Sequence, residues 1–80
     1  MINMNEYGYQ NFILELGLKV SYYRKRAGLT QEDLAERVGV STSYIGMIEA
    51  PGISKSASLK TLYSIATALG VPPYKLLQND

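Results

Sequence analysis

Apolar residues recur at three- and four-residue intervals along most of the chain, the period of an amphipathic helix. The first such stretch runs from Phe12 to Lys25 and places these side chains on one face: Phe12, Ile13, Leu16, Val20 and Tyr23. Ala27 and Gly28 end this helix. The preceding residues 1–10 are polar and turn-prone, without periodicity, and we expect a flexible N-terminal arm there.

Residues 29–49, LTQEDLAERVGVSTSYIGMIE, predict two short helices joined by a tight turn. Thr30 and Ser41 are candidate N-caps, and Asp33 completes a capping box with Thr30. Gly39 follows the first helix, where a left-handed residue is needed and glycine adopts it without strain. The two helices cover roughly residues 31–38 and 42–49. Such a pair is typical of a helix-turn-helix, whose second helix can enter a DNA major groove.

Two further helices complete the pattern. Residues 50–58, APGISKSAS, are rich in Pro, Gly and Ser and predict a loop. Ser58 is a candidate N-cap for a fourth helix that Gly70 closes, with one apolar stripe made of Leu59, Leu62, Ile65, Ala66 and Leu69. Pro72 and Pro73 suit the first turn of a short fifth helix. The predicted fold is all-α: a compact bundle of five helices over residues 11–78.

Composition narrows the classes of function. The chain has 80 residues, 46% of them hydrophobic, which is enough for one small domain. It contains no cysteine and no histidine, so a cysteine nucleophile, the usual general base and the commonest transition-metal ligands are missing. We therefore expect no catalytic residues, no metal and no cofactor. No apolar run is long enough to span a membrane, and no signal peptide is evident, so we expect a cytoplasmic protein.

The chain resembles the Cro/C1-type helix-turn-helix domains of phage repressors and many bacterial regulators. The resemblance covers about residues 16–77, and the matching positions are Gln31, Leu34, Ala35, Gly39, Val40, Ile45 and Ile48. It implies a lambda-repressor-like fold that binds double-stranded DNA and regulates transcription.

The resemblance also implies roles for particular residues. Base contacts fall to Thr42, Ser43 and Met47 on the second helix of the motif. Gln31 corresponds to a residue that bonds a DNA phosphate, and a helix N-terminus favours an anion there. The full set of expected phosphate contacts is Thr30, Gln31, Tyr44 and Lys55. The alternative for Tyr44 is that it fills a groove between helices.

A structural ion pair is implied as well. Arg24 on the first helix corresponds to an arginine that pairs with an acid at the end of the recognition helix, which is Glu49 in this chain. A buried pair of this kind would fix the two helices against each other, because separating the partners leaves a buried charge without a counter-charge.

Two features favour a different class of function. The net charge is only +1, and the expected base-reading positions carry no Arg, Asn or Gln, the residues that usually discriminate bases. A protein-interaction module or an antitoxin-type partner with the same fold and weak DNA affinity is therefore the alternative. Gly46 inside the recognition helix is also unusual, since glycine costs about 1 kcal/mol against alanine there.

For DNA binding we expect a homodimer on a palindromic operator, because one short helix covers only a few base pairs. The candidate dimer residues lie on the fifth helix and on the N-terminal segment. They are Tyr74, Leu76 and Leu77, and Tyr7, Tyr9 and Phe12.

Overall fold

A computed structural model of the protein describes residues 6–50 and 57–78, with the backbone alone described at residues 6 and 7. All regular secondary structure in these ranges is helical. The five helices are α1 (Glu6–Arg26), α2 (Gln31–Val38), α3 (Thr42–Glu49), α4 (Leu59–Leu69) and α5 (Tyr74–Leu77). The prediction of an all-α five-helix domain is confirmed.

The ends of α2 follow from local chemistry. The hydroxyl of Thr30 accepts a hydrogen bond from the backbone N–H of Asp33 at 2.9 Å, and the Asp33 carboxylate accepts one from the N–H of Thr30 at 2.9 Å. This reciprocal capping box satisfies two donors that the helix leaves free. At the other end Gly39 has a φ of 85° and donates to the Ala35 carbonyl at 2.8 Å. The predicted bounds of α2 are therefore confirmed.

The core lies where all five helices meet. The α2 and α3 helices pack on each other, α1 packs against α3, α4 and α5, and α2 also contacts α4. The largest fully buried side chains come from every helix: Val20, Leu34, Ile45, Ile65 and Leu76. Val20 and Ile65 lie on the predicted apolar stripes of their helices, and the burial of all five side chains holds α3 against the rest of the domain.

Three expectations from the periodicity were wrong. The α1 helix begins at Glu6, so residues 6–10 are helical and not part of a flexible arm. This segment has no proline, and its one glycine costs too little to stop a helix that is already propagating. Phe12 and Leu59 were expected in the core but are 44% and 79% exposed. Each precedes the first core residue of its helix, Ile13 in α1 and Leu62 in α4.

A glycine that the apolar pattern did not single out sets the distance between α1 and α3. A methyl group added at Gly17 would overlap the backbone carbonyl oxygen of Ile48 and would lie 3.3 Å from the Cα atom of Glu49. Both contacts are with backbone, which cannot move aside as a flexible side chain does. The two helices can therefore approach this closely only because residue 17 has no side chain.

The Gly17→Ala variant should be strongly destabilised, because the new methyl group forces α1 away from the end of α3. Overpacking of this kind costs about 1–3 kcal/mol or more, and chemical denaturation would measure it. Gly46→Ala is the matched control, since a methyl group there would have only Oε1 of Gln31 nearby, at 3.7 Å. That control should gain about 0.5–1 kcal/mol from helix propensity. Equal stability of the two variants would contradict the close contact.

The capping box should make stability depend on pH. The Thr30 N–H and hydroxyl, with a smaller effect of Arg37, lower the pKa of the Asp33 carboxyl from its ordinary 3.8. The ionised Asp33 carboxylate therefore contributes its full stabilisation of the fold above the ordinary pKa. This stabilisation is lost as the pH falls through the lower pKa that the carboxyl has in the folded state. The difference in unfolding free energy between the native chain and Asp33→Ala should shrink from pH 7 to pH 3. A difference that stays constant with pH would contradict this account, and Glu36→Ala serves as the exposed-acid control.

Candidate nucleic-acid interface

The α3 helix has one buried and one exposed side. Ile45, Ile48 and Glu49 are buried against the domain. On the other side Thr42 and Ser43 are exposed, Met47 is 36% exposed and Gly46 is half-buried. We call these four residues the outer face of α3. The three expected base-contacting residues therefore share one accessible surface.

The start of α3 is fixed by its own cap. Ser41 has an extended backbone, and its hydroxyl accepts a hydrogen bond from the N–H of Tyr44 at 3.0 Å. The Tyr44 ring packs against the core and is half-buried. This is the groove-filling arrangement that the sequence left open, and it leaves part of Tyr44 exposed.

The end of α3 is fixed by an ion pair. Nε of Arg24 donates to Oε2 of Glu49 at 2.8 Å, and Nη2 donates to Oε1 at 2.9 Å. A third donor, Nη1, bonds the Leu29 carbonyl oxygen at 2.8 Å. Arg24 and Glu49 are each only 8% exposed. The structure thus has the Arg24–Glu49 pair that the resemblance implies, and it links α1, the loop before α2 and the end of α3.

The hydrogen bonds to Glu49 raise the pKa of the Arg24 guanidinium above its ordinary value, an effect that burial partly opposes. An arginine side chain in a protein is not deprotonated in any case, so the Arg24–Glu49 contact is an ion pair. A charged pair this deeply buried is stabilising only when its remaining hydrogen-bonding groups are satisfied. Among the described residues, every buried side-chain nitrogen or oxygen atom has a partner.

Gln31 joins this network, which the sequence did not indicate. Its Nε2 atom donates to Oε1 of Glu49 at 3.1 Å, so the carboxylate accepts three hydrogen bonds. The residues are 18 positions apart, and only the packing of α2 on α3 brings them together. The side chain expected to bond a phosphate is thus partly engaged inside the protein.

The first turn of α2 still presents free donors. The first four N–H groups of a helix have no partner within it. In α2 these groups belong to residues 30–33, and the capping box satisfies two of them, the N–H of Thr30 through the Asp33 carboxylate and the N–H of Asp33 through the Thr30 hydroxyl. Those of Gln31 and Glu32 are left for an acceptor outside the helix. Thr30 itself is exposed at this end.

Two of the residues expected to make intermolecular contacts are not found on the surface that the structure describes. Lys55 lies outside the described residues. Leu76, a candidate for the dimer surface, is only 1% exposed and belongs to the core. Its place in the short α5 helix turns it inward, whereas its neighbours Tyr74 and Leu77 are exposed.

Other candidate dimer residues lie on α1. Tyr9 and Phe12 are both exposed, and the side chain of Tyr7 lies outside the described residues. Within the described part of the chain, none of the helices is both long enough and apolar enough to cross a membrane.

Comparison with known proteins decides the family. The family model described as helix-turn-helix matches residues 20–76, which span α2, α3 and α4 and most of the core. The chain belongs to the Cro/C1-type helix-turn-helix family. The matched segment contains the Arg24–Glu49 pair and the whole outer face of α3.

A curated relative within this family is the HTH-type transcriptional regulator SinR of Bacillus subtilis. It is 32% identical over 64 residues, which cover 80% of this chain and 57% of SinR. The chain thus spans a little over half the length of that relative.

Two solved structures match the fold closely. The restriction-modification controller protein C.AhdI from Aeromonas hydrophila has a TM-score of 0.74 and 33% identity, covering 80% of this chain and 94% of that one. The biofilm master regulator SinR in complex with DNA has a TM-score of 0.73 and 32% identity, covering 79% of this chain and 98% of that one.

Removal of Glu49 should strongly destabilise the domain. Glu49→Ala leaves the buried Arg24 guanidinium without a counter-charge and Gln31 without an acceptor. The free energy of unfolding should therefore fall by roughly 3–5 kcal/mol. For a chain of this size the Tm should fall by roughly 10 °C or more, as calorimetry or circular dichroism would measure.

Glu15→Ala is the control for this variant. It removes a partly exposed ion pair with Lys19, at 3.8 Å, which should contribute little. An equally small fall in Tm for both variants would mean that the Arg24–Glu49 pair does not hold α3 in place.

Proposed function

We propose that the protein binds double-stranded DNA in a sequence-specific manner and regulates transcription, acting as a repressor-like protein. The observation that carries this proposal is the outer face of α3. The buried side of α3 is held by apolar packing and by the hydrogen bonds of Glu49 to other helices. Thr42, Ser43 and Met47 remain accessible on the opposite side. A helix exposed in this way can enter a major groove.

The proposed contacts divide into two kinds. Thr42 and Met47 can contact thymine methyl groups, and Ser43 can bond either a base edge or a phosphate. The first turn of α2 supplies main-chain N–H donors at Gln31 and Glu32, where the helix dipole favours a phosphate. The Thr30 and Tyr44 hydroxyls are further candidates, and we retain Lys55, which precedes α4 in the sequence, as a proposed contact.

The relatives support this proposal. One solved neighbour is SinR in complex with DNA, and another is a restriction-modification controller protein. We propose a homodimer that places two copies of α3 in successive major grooves of a palindromic operator, about 34 Å apart. Such a regulator must reach its operator, so we also propose a cytoplasmic location.

An acidic groove favours a second candidate function. Glu32, Asp33 and Glu36 line a shallow groove that continues to Ser41 and Thr42 at the start of α3. These carboxylates repel DNA phosphates, whereas they would attract a basic protein segment. A protein-interaction module or antitoxin-type partner is therefore the alternative.

Binding measured against salt separates the two functions. A duplex should first be selected from a random pool by the purified chain, and its affinity then measured by fluorescence anisotropy from about 50 to 200 mM salt. For a DNA-binding protein that contacts several phosphates, log K should fall linearly with log salt, with a slope of about −0.9 per neutralised phosphate. Failure to bind any duplex at about 50 mM salt would contradict the proposed function and favour the interaction module.

A further inference from the structure

The α1 helix carries apolar side chains on two opposite sides. Leu16 and Val20 are buried on the side that packs against the domain. On the other side Leu14, Leu18 and Tyr22 follow one another at four-residue intervals and are 36%, 49% and 53% exposed. We call these three residues the outer stripe of α1. A helix that only covers a core carries polar residues on its outer side, so the fold of one chain does not account for the outer stripe.

Tyr22 is ordered within the outer stripe. Its ring meets Tyr23 edge-on, with the centroids 4.9 Å apart and the ring planes at 79°. Its hydroxyl accepts a hydrogen bond from Nη1 of Arg26 at 3.0 Å, and the guanidinium lies 5.8 Å from the ring centroid. Tyrosine and arginine are enriched among the residues that dominate binding at protein interfaces. A side chain that is already held in place loses little entropy when a partner packs on it, so Tyr22 suits a protein contact.

The charges beside the outer stripe differ between its two ends. Glu15 follows Leu14 at the N-terminal end, and Arg26 lies one turn beyond Tyr22 at the C-terminal end. The two charged residues are 11 positions apart, about three turns of helix, so they lie on the same edge of the outer stripe. The Glu15 side chain is 43% exposed and its contact with Lys19 is long, 3.8 Å, while Arg26 is exposed. Both charges are therefore accessible to a partner.

This difference between the ends indicates a second copy of the chain as the partner, in antiparallel orientation. With Leu18 facing Leu18 of the second copy, Leu14 lies opposite Tyr22 of the second copy. Long side chains lean towards the N-terminus of their own helix, so in an antiparallel pair Glu15 and Arg26 of the second copy lean towards each other. A parallel pair would set Glu15 against Glu15 and Arg26 against Arg26, and like charges at an interface are unfavourable.

The size of the outer stripe sets the strength of this contact. Three partly exposed side chains with a polar rim form a surface smaller than the roughly 800 Å² per partner of a standard interface. Free chains should therefore associate weakly, with a Kd on the order of 100 µM. Under the proposed function, chains held side by side on one DNA molecule reach an effective concentration of about 1 mM, at which such a contact forms.

We propose that the outer stripe of α1 binds the outer stripe of a second copy in antiparallel orientation. This contact is separate from the exposed α5 residues Tyr74 and Leu77, which are candidates for the operator-bound dimer. It does not require DNA, so it is tested on the chain alone, and its failure would leave the proposed function standing.

A single cysteine tests the pairing, because the chain has none of its own. Leu18→Cys places a thiol at the centre of the outer stripe, where two copies bring both thiols together. During mild air oxidation, disulfide-linked dimers should form about tenfold faster than for Leu59→Cys, as non-reducing gel electrophoresis would measure. Leu59 is the matched control, a leucine of α4 that is 79% exposed. Equal rates for the two variants would overturn the inference.

Charge exchange tests the orientation. In the Leu18→Cys background, Glu15→Arg and Arg26→Glu should each slow dimer formation, because each sets like charges together in an antiparallel pair. The double exchange should restore most of the rate. Single exchanges without effect, or a double exchange as slow as the single ones, would overturn the antiparallel arrangement.

The native chain gives a readout that does not depend on cysteine. Sedimentation equilibrium at concentrations up to about 1 mM should show an association that Leu18→Glu abolishes and Leu59→Glu retains. Circular dichroism should show both variants folded, since both leucines are exposed. Association unaffected by Leu18→Glu would overturn the inference. A native chain that stays monomeric throughout would also overturn it and would leave the outer stripe to a different protein.

Discussion

The orientation of α3 depends on one buried carboxylate. Glu49 is the last residue of α3, and its two oxygen atoms accept hydrogen bonds from Arg24 of α1 and Gln31 of α2. Burying a charge is costly unless it is paired and its remaining hydrogen-bonding groups are satisfied. Arg24 also bonds the Leu29 carbonyl between α1 and α2. A shift of α3 would therefore break several charge-assisted hydrogen bonds at once, so α3 is held in one position.

This network requires that α1 and α3 lie close together, and Gly17 is the residue that permits it. Gly17 and Arg24 are seven positions apart, so two turns of helix place both on the same side of α1. A larger residue at position 17 would meet the backbone at Ile48 and Glu49. Such a residue would move α1 away from α3 and lengthen the hydrogen bonds of the ion pair, which measure 2.8 and 2.9 Å. Packing at one residue and electrostatics at another thus depend on the same distance between helices.

Sequence patterns predicted the features that local interactions determine. The bounds of α2 and α3 follow from Thr30, Gly39 and Ser41, whose caps involve residues three or four positions away. The Arg24–Glu49 pair came from the family resemblance, because residue types alone do not select one partner among seven acids. Contacts between distant residues were not predictable: the bond between Gln31 and Glu49 requires the packing of α2 on α3. Gly17 could have been found, since it shares the buried face of α1 with Ile13 and Val20.

The outer face of α3 is chemically plain, and Gly46 within it has no evident role in the fold. The Gln31 side chain beside Gly46 is ordered by its hydrogen bond to Glu49, so the border of this face is fixed before any partner binds. Gly46 lowers the helix propensity of α3 by about 1 kcal/mol, and the fold gains nothing evident in return. A local rule broken without a structural benefit is expected at functional sites, which is why Gly46 points to the outer face of α3 as a functional surface.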